Sequence, residues 1–532
     1  MKKKTIFIAI LWAISCQVLT AKMKTERNIC YTADSETDSY RRERCKLDVY
    51  TPEGAANQQV LIWFHGGDLR DSDGSHLPDA FQDRGIVVVT PDCRLSPRAT
   101  HPAYIEDAAE AVSWVCNNIS RYGGDPLRIS IAGHAEGAYL ALMLCLDKAY
   151  LGKHGIDADK VENFYAVSGE VITPRAFRQE TNHPSPYIDS CAAINHSRKL
   201  ATRLFLFTGD RRYELPSLTE QNIYLKDALE RDGNSTVPLY ELEGFDHYTC
   251  VQPASLLIVS NMTGEDPGKV FKETIFAHTD DVKDRYETIL DIPYVASNES
   301  AYRRTQCRLD IHYPKERGNN KVLVWFHGGG LKSGIKEIPE SMMYGNFVVV
   351  SAEYRFTPKV NAPSYIEDAA EAVAWVHKHI AEYNGNPDSI YISGASAGGY
   401  LVMMLAMDQH YLADARYDAD KLAGYVSLTG QMSRHTGIND EFNIEHFRVV
   451  ADKYSPIGMA RNCVPPVWLI TGQREVDRPT RYAQNLYMYS LLKSLGKTNV
   501  EQYAISGFGH GGAGYEGSMI MRRILGYERA KR

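Results

Sequence analysis

The chain has 532 residues, 44% of them hydrophobic and 23% charged, and its formal net charge is -7. This length exceeds one ordinary domain and predicts two or more. Because Lys and Arg are scattered rather than gathered into a basic patch, the composition argues against nucleic acid as a partner.

The first residues read "MKKKTIFIAILWAISC", in which three lysines precede an apolar run that is too short to span a bilayer comfortably. This pattern predicts a signal peptide over residues 1–21, with cleavage near Ala21. The alternative is lipoprotein processing at Cys16, because "AISC" loosely resembles a lipobox. No other stretch is apolar and long enough for a membrane span. We therefore expect a secreted or periplasmic protein, or a surface lipoprotein.

The chain has ten cysteines, and nine remain when Cys16 is removed. Export permits disulfides such as Cys30–Cys45, although the pairing cannot be read from the spacing. No C-x-x-C pair with zinc spacing occurs, so we expect neither a metal nor another cofactor.

Most of the chain consists of two similar copies of one sequence, with an offset near 260 residues. The stretch "VLIWFHGGDLRDS" at residue 60 returns as "VLVWFHGGGLKSG" at 322, and "YIEDAAEAVSWV" at 104 returns as "YIEDAAEAVAWV" at 365. A period this long indicates a duplicated domain rather than a solenoid. The boundary falls in a polar stretch, which divides the mature chain into domains at residues 22–265 and 266–532.

Each copy alternates short apolar runs with amphipathic stretches. In the second copy the runs that predict strands are "KVLVWF", "FVVVSAEY", "SIYISG", "AGYVSLTG", "PVWLITG" and "VEQYAIS". Between two of them, Ala369, Ala370, Val373 and Val376 recur at helical spacing. Continuous apolar strands with intervening helices predict an α/β fold in each copy, a mostly parallel sheet with helices on both faces.

The motif "SGASAGG" in the second copy places Ser396 between a strand signal and an apolar helix. A nucleophile on such a sharp turn needs small neighbours, which Gly394 and Gly398 provide. The motif alone is weak, but its position between strand and helix makes Ser396 the candidate nucleophile.

A glycine-rich segment, "FHGGGL", follows an earlier strand signal of the second copy. Tandem glycines let backbone amides turn toward a ligand oxygen, so the amides of Gly329, Gly330 and Ala397 are assigned as an oxyanion hole. The alternative is a glycine-rich turn that only closes a strand. His327, just before the glycines, is interpreted as a structural residue that holds this loop.

A serine hydroxyl needs a base, and His510 lies in a glycine-rich loop after the last strand signal. The acid that orients the imidazole should follow "PVWLITG", where Glu475 and Asp477 compete. Glu475 is preferred and Asp477 stays open.

The preference for Glu475 rests on the repeat. The first copy lacks a serine at its turn, and it carries Arg212 at the position of Glu475 but Glu214 at the position of Asp477. A copy that lost its nucleophile would also lose its acid, which favours Glu475. The alternative interpretation of Asp477 is a loop salt bridge or a helix cap.

These motifs resemble the α/β-hydrolase superfamily, with features of its hormone-sensitive-lipase-like and bacterial carbohydrate-esterase groups. The resemblance covers about 250 residues and rests on "WFHGGG", "EYRFTP", "YNGNPDSIYISGASAGG" and "GFGHG". It implies two tandem α/β-hydrolase domains and hydrolysis of carboxylic esters, in which Ser396 attacks and His510 transfers the proton. It does not fix the substrate, for which acetyl or feruloyl esters of polysaccharides are expected.

Two other functions stay open. A peptidase of the prolyl-oligopeptidase kind shares this fold, but no propeller-like repeat precedes the domain. A carbohydrate-binding or interaction protein would need both copies to be inert. The segment 431–456, where such enzymes carry part of a cap, is short and polar, which favours small acyl groups.

The first copy keeps the turn sequence "GHAEG" but has Ala135 where the second has Ser396. Asp68 replaces Gly330 and Arg212 replaces Glu475, so that of the catalytic positions only His247 is expected to survive. We therefore expect an inert domain that packs on the second one.

A second hypothesis for the first copy is that its old pocket binds a ligand. Trp63, Trp114 and Tyr139 are aromatic candidates for such a pocket. Packing in the core is the alternative role for each of them.

Overall fold

The computed structural model describes residues 23–526, except 34, 68–76, 83, 184 and 277–281. The predicted signal peptide at residues 1–21, the lipid-anchor residue Cys16 and Asp68 of the first copy therefore lie outside the described residues. Among the helices of the described part, none combines the length and the apolarity that crossing a bilayer requires.

The strands of the described residues are β1 (Met23–Cys30), β2 (Lys46–Pro52), β3 (Gln58–Phe64), β4 (Val87–Pro91), β5 (Gly124–His134), β6 (Asn163–Val167), β7 (Arg203–Gly209), β8 (Leu239–Leu242), β9 (Tyr286–Pro293), β10 (Arg308–Pro314), β11 (Asn320–Phe326), β12 (Phe347–Ala352), β13 (Gly385–Ala395), β14 (Gly424–Leu428), β15 (Val467–Gly472) and β16 (Val500–Ile505).

The α-helices of the same residues are α1 (Ser39–Arg44), α2 (Ala103–Asn118), α3 (Glu136–Leu146), α4 (Lys148–Gly152), α5 (Arg175–Glu180), α6 (Leu218–Arg231), α7 (Val251–Thr263), α8 (Pro267–Phe276), α9 (Ala301–Gln306), α10 (Ser364–His379), α11 (Ala397–Met407), α12 (His410–Asp414), α13 (Thr436–Glu441), α14 (Arg481–Ser494) and α15 (Gly512–Leu525).

The strands form one sheet in the order β1-β2-β4-β3-β5-β6-β7-β8-β16-β15-β14-β13-β11-β12-β10-β9. The first half contributes the parallel strands β3 to β8, and the second half contributes the parallel strands β11 to β16. The predicted α/β architecture is confirmed, and the six apolar runs of the second copy correspond to β11–β16. Two antiparallel strands complete the outer edge of each half.

Apolar side chains fill both faces of the sheet. One face of the first half and one face of the second each pack against their own helices, including α2 with α3 and α10 with α11. Every residue of α11 is buried, as expected for a helix that is apolar all round. These central helices begin at the turns that carry Ala135 and Ser396.

The two halves meet where β8 pairs with β16. The pair is antiparallel, and its partners Leu242 and Ile505 precede "GFDH" and "GFGH" by the same number of residues. Each is therefore the repeat equivalent of the other, as at an isologous interface between two copies. A third hydrophobic cluster contains side chains of both halves, and α8 packs against α7 and α15.

Polar groups also cross this junction. Arg523 donates hydrogen bonds to the Gly244 carbonyl and to the Tyr503 hydroxyl. The guanidinium of Arg212 donates to Asp210 at 2.8 Å and lies 4.9 Å from the centroid of the Tyr503 ring. Arg212, which stands at the position of Glu475, thus contacts the second half at the junction.

Glu243 is an acidic residue of the first half that contacts the second half at the junction. Its Oε2 accepts a hydrogen bond from the Ala504 amide at 2.7 Å. Burial raises the pKa of Glu243 to about 7, with a contribution from the nearby Asp210 and Glu241 carboxylates. The junction therefore contains a carboxyl group that titrates near neutral pH.

We expect the junction to weaken as the pH rises. The stabilising contribution of the Glu243 proton is complete below the ordinary pKa of 4.5 and is lost as the pH rises through about 7. From about pH 5 to about pH 8 the wild type should lose on the order of 2 kcal/mol of unfolding free energy relative to Glu243→Gln. Thermal unfolding midpoints against pH measure this, with the exposed Glu220→Gln as control. Parallel profiles for wild type and Glu243→Gln would contradict it.

Candidate active site

Ser396 occupies a strained turn between β13 and α11. Its backbone has φ 54° and ψ −107°, a left-handed conformation that a residue with a side chain rarely adopts. The end of the neighbouring strand β11 and the start of α11 approach so closely that a Cβ on Gly398 would lie 1.9 Å from the Phe326 carbonyl oxygen. Glycine is required there, and the turn projects the Ser396 side chain beyond the end of the sheet.

His510 joins Ser396 to a carboxylate. Its Nε2 lies 3.0 Å from the Ser396 hydroxyl, and its Nδ1 lies 2.8 Å from Oδ1 of Asp477. An ionised carboxylate can only accept, so Nδ1 carries the proton and Nε2 is free to accept from the hydroxyl. This is the order of contacts that activates a serine nucleophile.

Asp477 is built to stay ionised. The residue is only 8% exposed, and it accepts hydrogen bonds from the amides of Gly472 at 3.1 Å and Arg478 at 2.6 Å. Burial opposes ionisation, but the bond from His510 and the two amides outweigh it, so the pKa of Asp477 lies below its usual value. A permanent anion at Nδ1 can stabilise the imidazolium that forms when His510 takes a proton.

The preference for Glu475 as the acid is wrong. Its side chain is exposed and contacts the Gln473 amide at 3.2 Å, in the groove that also contains Glu243. The cause is a tight turn, in which the amides of Val476 and Asp477 both donate to the Gln473 carbonyl. This turn directs Asp477 back toward the end of the sheet and leaves Glu475 facing outward.

The glycine loop leaves backbone amides available beside Ser396. Gly329 and Gly330 have φ of 110° and 69°, and Ala397 is the first residue of α11. No described residue accepts a hydrogen bond from the amides of these three residues. They are the three amides that the sequence assigned to an oxyanion hole, and the structure places them in one loop and one helix end at the serine turn.

His327 lies under the glycine loop. Its Nδ1 donates to the Gly328 carbonyl at 2.6 Å, and its Nε2 lies 2.6 Å from Glu353. The ring also stacks on Tyr354 with centroids 4.5 Å apart. These contacts hold the loop and do not involve Ser396.

The first half retains most of the same framework. Ala135 has φ 52° and ψ −115°, close to the values at Ser396. His247 Nδ1 lies 2.7 Å from Glu214, which also accepts a hydrogen bond from the Ser168 hydroxyl at 2.7 Å. The expectation that only His247 survives is therefore wrong, because the acid partner is Glu214, at the position of Asp477.

An acidic side chain occupies the anion-binding position of the first half. Glu136 stands at the position of Ala397, and its carboxylate accepts a hydrogen bond of 3.3 Å from the amide of Gly67. Gly67 is the repeat equivalent of Gly329. The amide that would bind a developing oxyanion is thus already bound to a negative charge, which would repel that oxyanion.

A cavity of about 1070 Å³ lies in front of the Ala135 turn. Trp63 and Tyr139 line it, together with Tyr344 of the second half. Trp114 packs elsewhere, with its ring 6.1 Å from that of Tyr122. Of the three aromatic candidates, two are placed at the cavity and Trp114 is not.

The described cysteines and acidic side chains form neither a disulfide nor a metal-binding cluster. All nine cysteines there are free, including Cys30 and Cys45. Within the same residues, no group of three or more His, Cys, Asp or Glu side chains is arranged to hold a metal ion.

Comparisons with known proteins agree with this architecture. A family profile described as BD-FAE matches residues 47–170 and 309–485, which lie in both halves. A rice protein (Oryza sativa subsp. japonica) named as a probable isoprenylcysteine alpha-carbonyl methylesterase is 26% identical over 233 residues, which cover 38% of this chain and 54% of that protein. Esterase LipQ of Mycobacterium tuberculosis is 27% identical over 203 residues, which cover 34% of this chain and 47% of LipQ. The chain thus spans about half the length of these relatives.

A similar solved structure is a truncated form of a carbohydrate esterase from gut microbiota. It is 19% identical, with a TM-score of 0.39, and the match covers 46% of this chain and 97% of that one.

Replacing Asp477 by Asn should disable Ser396. The side-chain amide of Asn would favour the wrong imidazole tautomer, so we expect the rate at which a fluorophosphonate probe labels Ser396 to fall about 10³- to 10⁴-fold. Glu475→Gln is the matched control and should leave the rate within about twofold, because Glu475 does not contact His510. Mass spectrometry of the labelled peptide measures both rates. The reverse order of effects would refute the assignment of Asp477.

Restoring a serine to the first half should not suffice to make it reactive. In a Ser396→Ala background we expect Ala135→Ser to remain unlabelled, because the Glu136 carboxylate occupies the amide of Gly67. Adding Glu136→Ala, which copies Ala397, should produce slow labelling at residue 135 through His247 and Glu214. Rapid labelling without Glu136→Ala would contradict the blocking role of that carboxylate.

Proposed function

The chain belongs to the BD-FAE family, and from this premise we propose that it is an exported serine carboxylesterase that hydrolyses short-acyl esters in its second half. The observation that carries the proposal is the hydrogen-bonded chain Ser396–His510–Asp477, with contacts of 3.0 and 2.8 Å. Relatives that are named esterases support the same reaction class.

The geometry supports a two-step acyl transfer. The Ser396 oxygen attacks the ester carbon while its proton passes to Nε2 of His510. The carbonyl oxygen becomes an anion, which the amides of the oxyanion hole receive. Collapse of this intermediate breaks the ester bond, and His510 returns the proton to the departing alcohol. Water then releases the acid from Ser396 by the same steps in reverse.

Acetyl or feruloyl groups on polysaccharides are the proposed substrates. The segment 431–456 lies beside the glycine loop, because Gly437 approaches the Gly330 carbonyl. Phe442 and Phe447 in this segment are 50% and 69% exposed. Exposed aromatic rings in a segment that reaches the glycine loop provide stacking surfaces for sugar rings, which supports a carbohydrate ester over a long lipid tail.

Two further parts of the proposal concern location and the first half. Export rests on the lysine-rich and apolar start of the sequence, with a lipid anchor at Cys16 as its variant form. The first half is proposed to act as a fixed partner that packs on the second. The β8–β16 pair and the hydrophobic cluster shared by both halves support that role.

The test is turnover of 4-nitrophenyl acetate and butyrate, followed by release of acetate or ferulate from acetylated and feruloylated oligosaccharides. Ser396→Ala should lower turnover at least about 10⁴-fold, because it removes the nucleophile. Ser168→Ala is the control, since Ser168 also contacts a triad-like carboxylate but lies in the first half. Full turnover by Ser396→Ala would refute the proposal, and faster cleavage of proline-containing peptide amides than of esters would indicate the peptidase.

A further inference from the structure

Arg481 is a buried cation without a partner. It is the first residue of α14 and is only 7% exposed. Its Nε and Nη1 are buried and have no hydrogen-bond partner, and no described carboxylate lies within salt-bridge distance. Such an arrangement is costly, because a buried charge is normally paired.

The surroundings of Arg481 increase this cost. The N-terminus of a helix is the positive end of its dipole and favours anions. The pKa of Arg481 is lowered to about 10, mainly by burial; the nearby Asp477 opposes this shift and Arg478 adds to it. Neither the helix dipole nor burial favours an arginine here, and no described residue accepts a hydrogen bond from its Nε or Nη1.

His435 provides a second donor close to Ser396. Its ring centroid lies 5.2 Å from that of Tyr400, four residues after Ser396 on α11. Burial lowers the pKa of His435 to about 3, and Arg481 contributes to the shift, so the ring is neutral. Its Nδ1 accepts from the Gly437 amide at 3.0 Å, which leaves the proton on Nε2, where no described residue accepts it.

The first half shows where these two positions face. Leu218 begins α6 as Arg481 begins α14, and Pro174 precedes α5 as His435 precedes α13. Both Leu218 and Pro174 line the cavity in front of Ala135.

The helices that begin at these residues have equivalent positions in the two halves. Asn222 on α6 donates to the Gly169 carbonyl at 3.0 Å, and Asn485 on α14 donates to the Gly430 carbonyl at 2.9 Å. By this equivalence, Arg481 and His435 stand in the second half at the positions where the first half has apolar side chains that line its cavity.

We propose that Arg481 and His435 form a carboxylate-binding subsite of the Ser396 cleft, so that the preferred esters also carry a carboxylate group. This rests on the proposed esterase function. A carboxylate would neutralise the guanidinium and accept from both side chains, which gives strong charge-assisted hydrogen bonds. The carboxylate can belong to the acyl part, as in a dicarboxylic half-ester, or to the alcohol part, as in a uronic acid.

Matched ester pairs test the subsite and separate these sources. Mono-4-nitrophenyl succinate against its methyl ester places the carboxylate on the acyl part, and 4-acetoxybenzoate against its methyl ester places it on the alcohol part. Arg481→Leu copies Leu218 of the first half. It should lower kcat/KM about 10- to 100-fold for the anionic member of one pair, and less than about threefold for the neutral member.

Two further variants separate contact from general charge. Arg481→Lys should recover part of the lost kcat/KM. Arg474→Leu removes an exposed charge seven residues earlier and should have little effect on either member of a pair. The thermal midpoint of Arg481→Leu should equal or exceed that of the wild type, because an unpaired buried charge is removed. A large fall in the midpoint of Arg481→Leu would show a structural role and overturn the proposal.

Equal losses for anionic and neutral esters in Arg481→Leu, or an equal effect of Arg474→Leu, would also overturn the subsite while leaving the esterase intact. Binding of succinate and glucuronate to the Ser396→Ala protein by calorimetry is independent of turnover. Heat that disappears in Ser396→Ala/Arg481→Leu supports the subsite even if no ester is hydrolysed. No heat with either anion in Ser396→Ala overturns it.

Discussion

The close approach of β11 and α11 at the serine turn is the constraint that determines the backbone of the site. It forces glycine at residue 398 and a left-handed backbone at residue 396, whichever side chain residue 396 bears. The first half satisfies the same constraint with Ala135. The turn is therefore a property of the α/β fold, in which the first turn of the most buried helix must pass over the end of the central strand. The turn therefore forms whether or not its central residue carries a nucleophilic side chain.

The two halves differ mainly in the charges that they place on the shared backbone. Around Ser396 the amides of the glycine loop are open and Arg481 has no partner, so the cleft is suited to anions. Around Ala135 the Glu136 carboxylate binds the equivalent amide, and Leu218 replaces the arginine. The retained pair of Glu214 and His247 shows that loss of the nucleophile did not require loss of the rest.

The sequence predicts the fold well because continuous apolar runs and helical periodicity directly report burial, as β11–β16 and α10 illustrate. It also predicts that Ser396 and His510 lie close together, since each follows a strand of the same parallel sheet. The acid was not predictable from spacing, because a turn of five residues decides which of two carboxylates faces the sheet. A better signal was available, since Asp477 keeps an acidic equivalent just as His510 keeps an imidazole. Arg481 carries no sequence signal of its own, because an arginine at a helix start ordinarily lies in solvent.

The antiparallel β8–β16 pair joins the two halves of one chain as a dimer interface would join two subunits, except that the halves cannot dissociate. In a separate domain, strand β16 would be an open edge, ready to associate with any other chain. Because the two halves are covalently joined, β8 covers this edge at every protein concentration. Pairing of the two halves therefore does not depend on a binding equilibrium between separate chains. The β8 edge of the first half covers β16 whether or not the first half carries a nucleophile. In the described residues, the resulting sixteen-stranded sheet holds one serine turn, at Ser396, and one alanine turn, at Ala135.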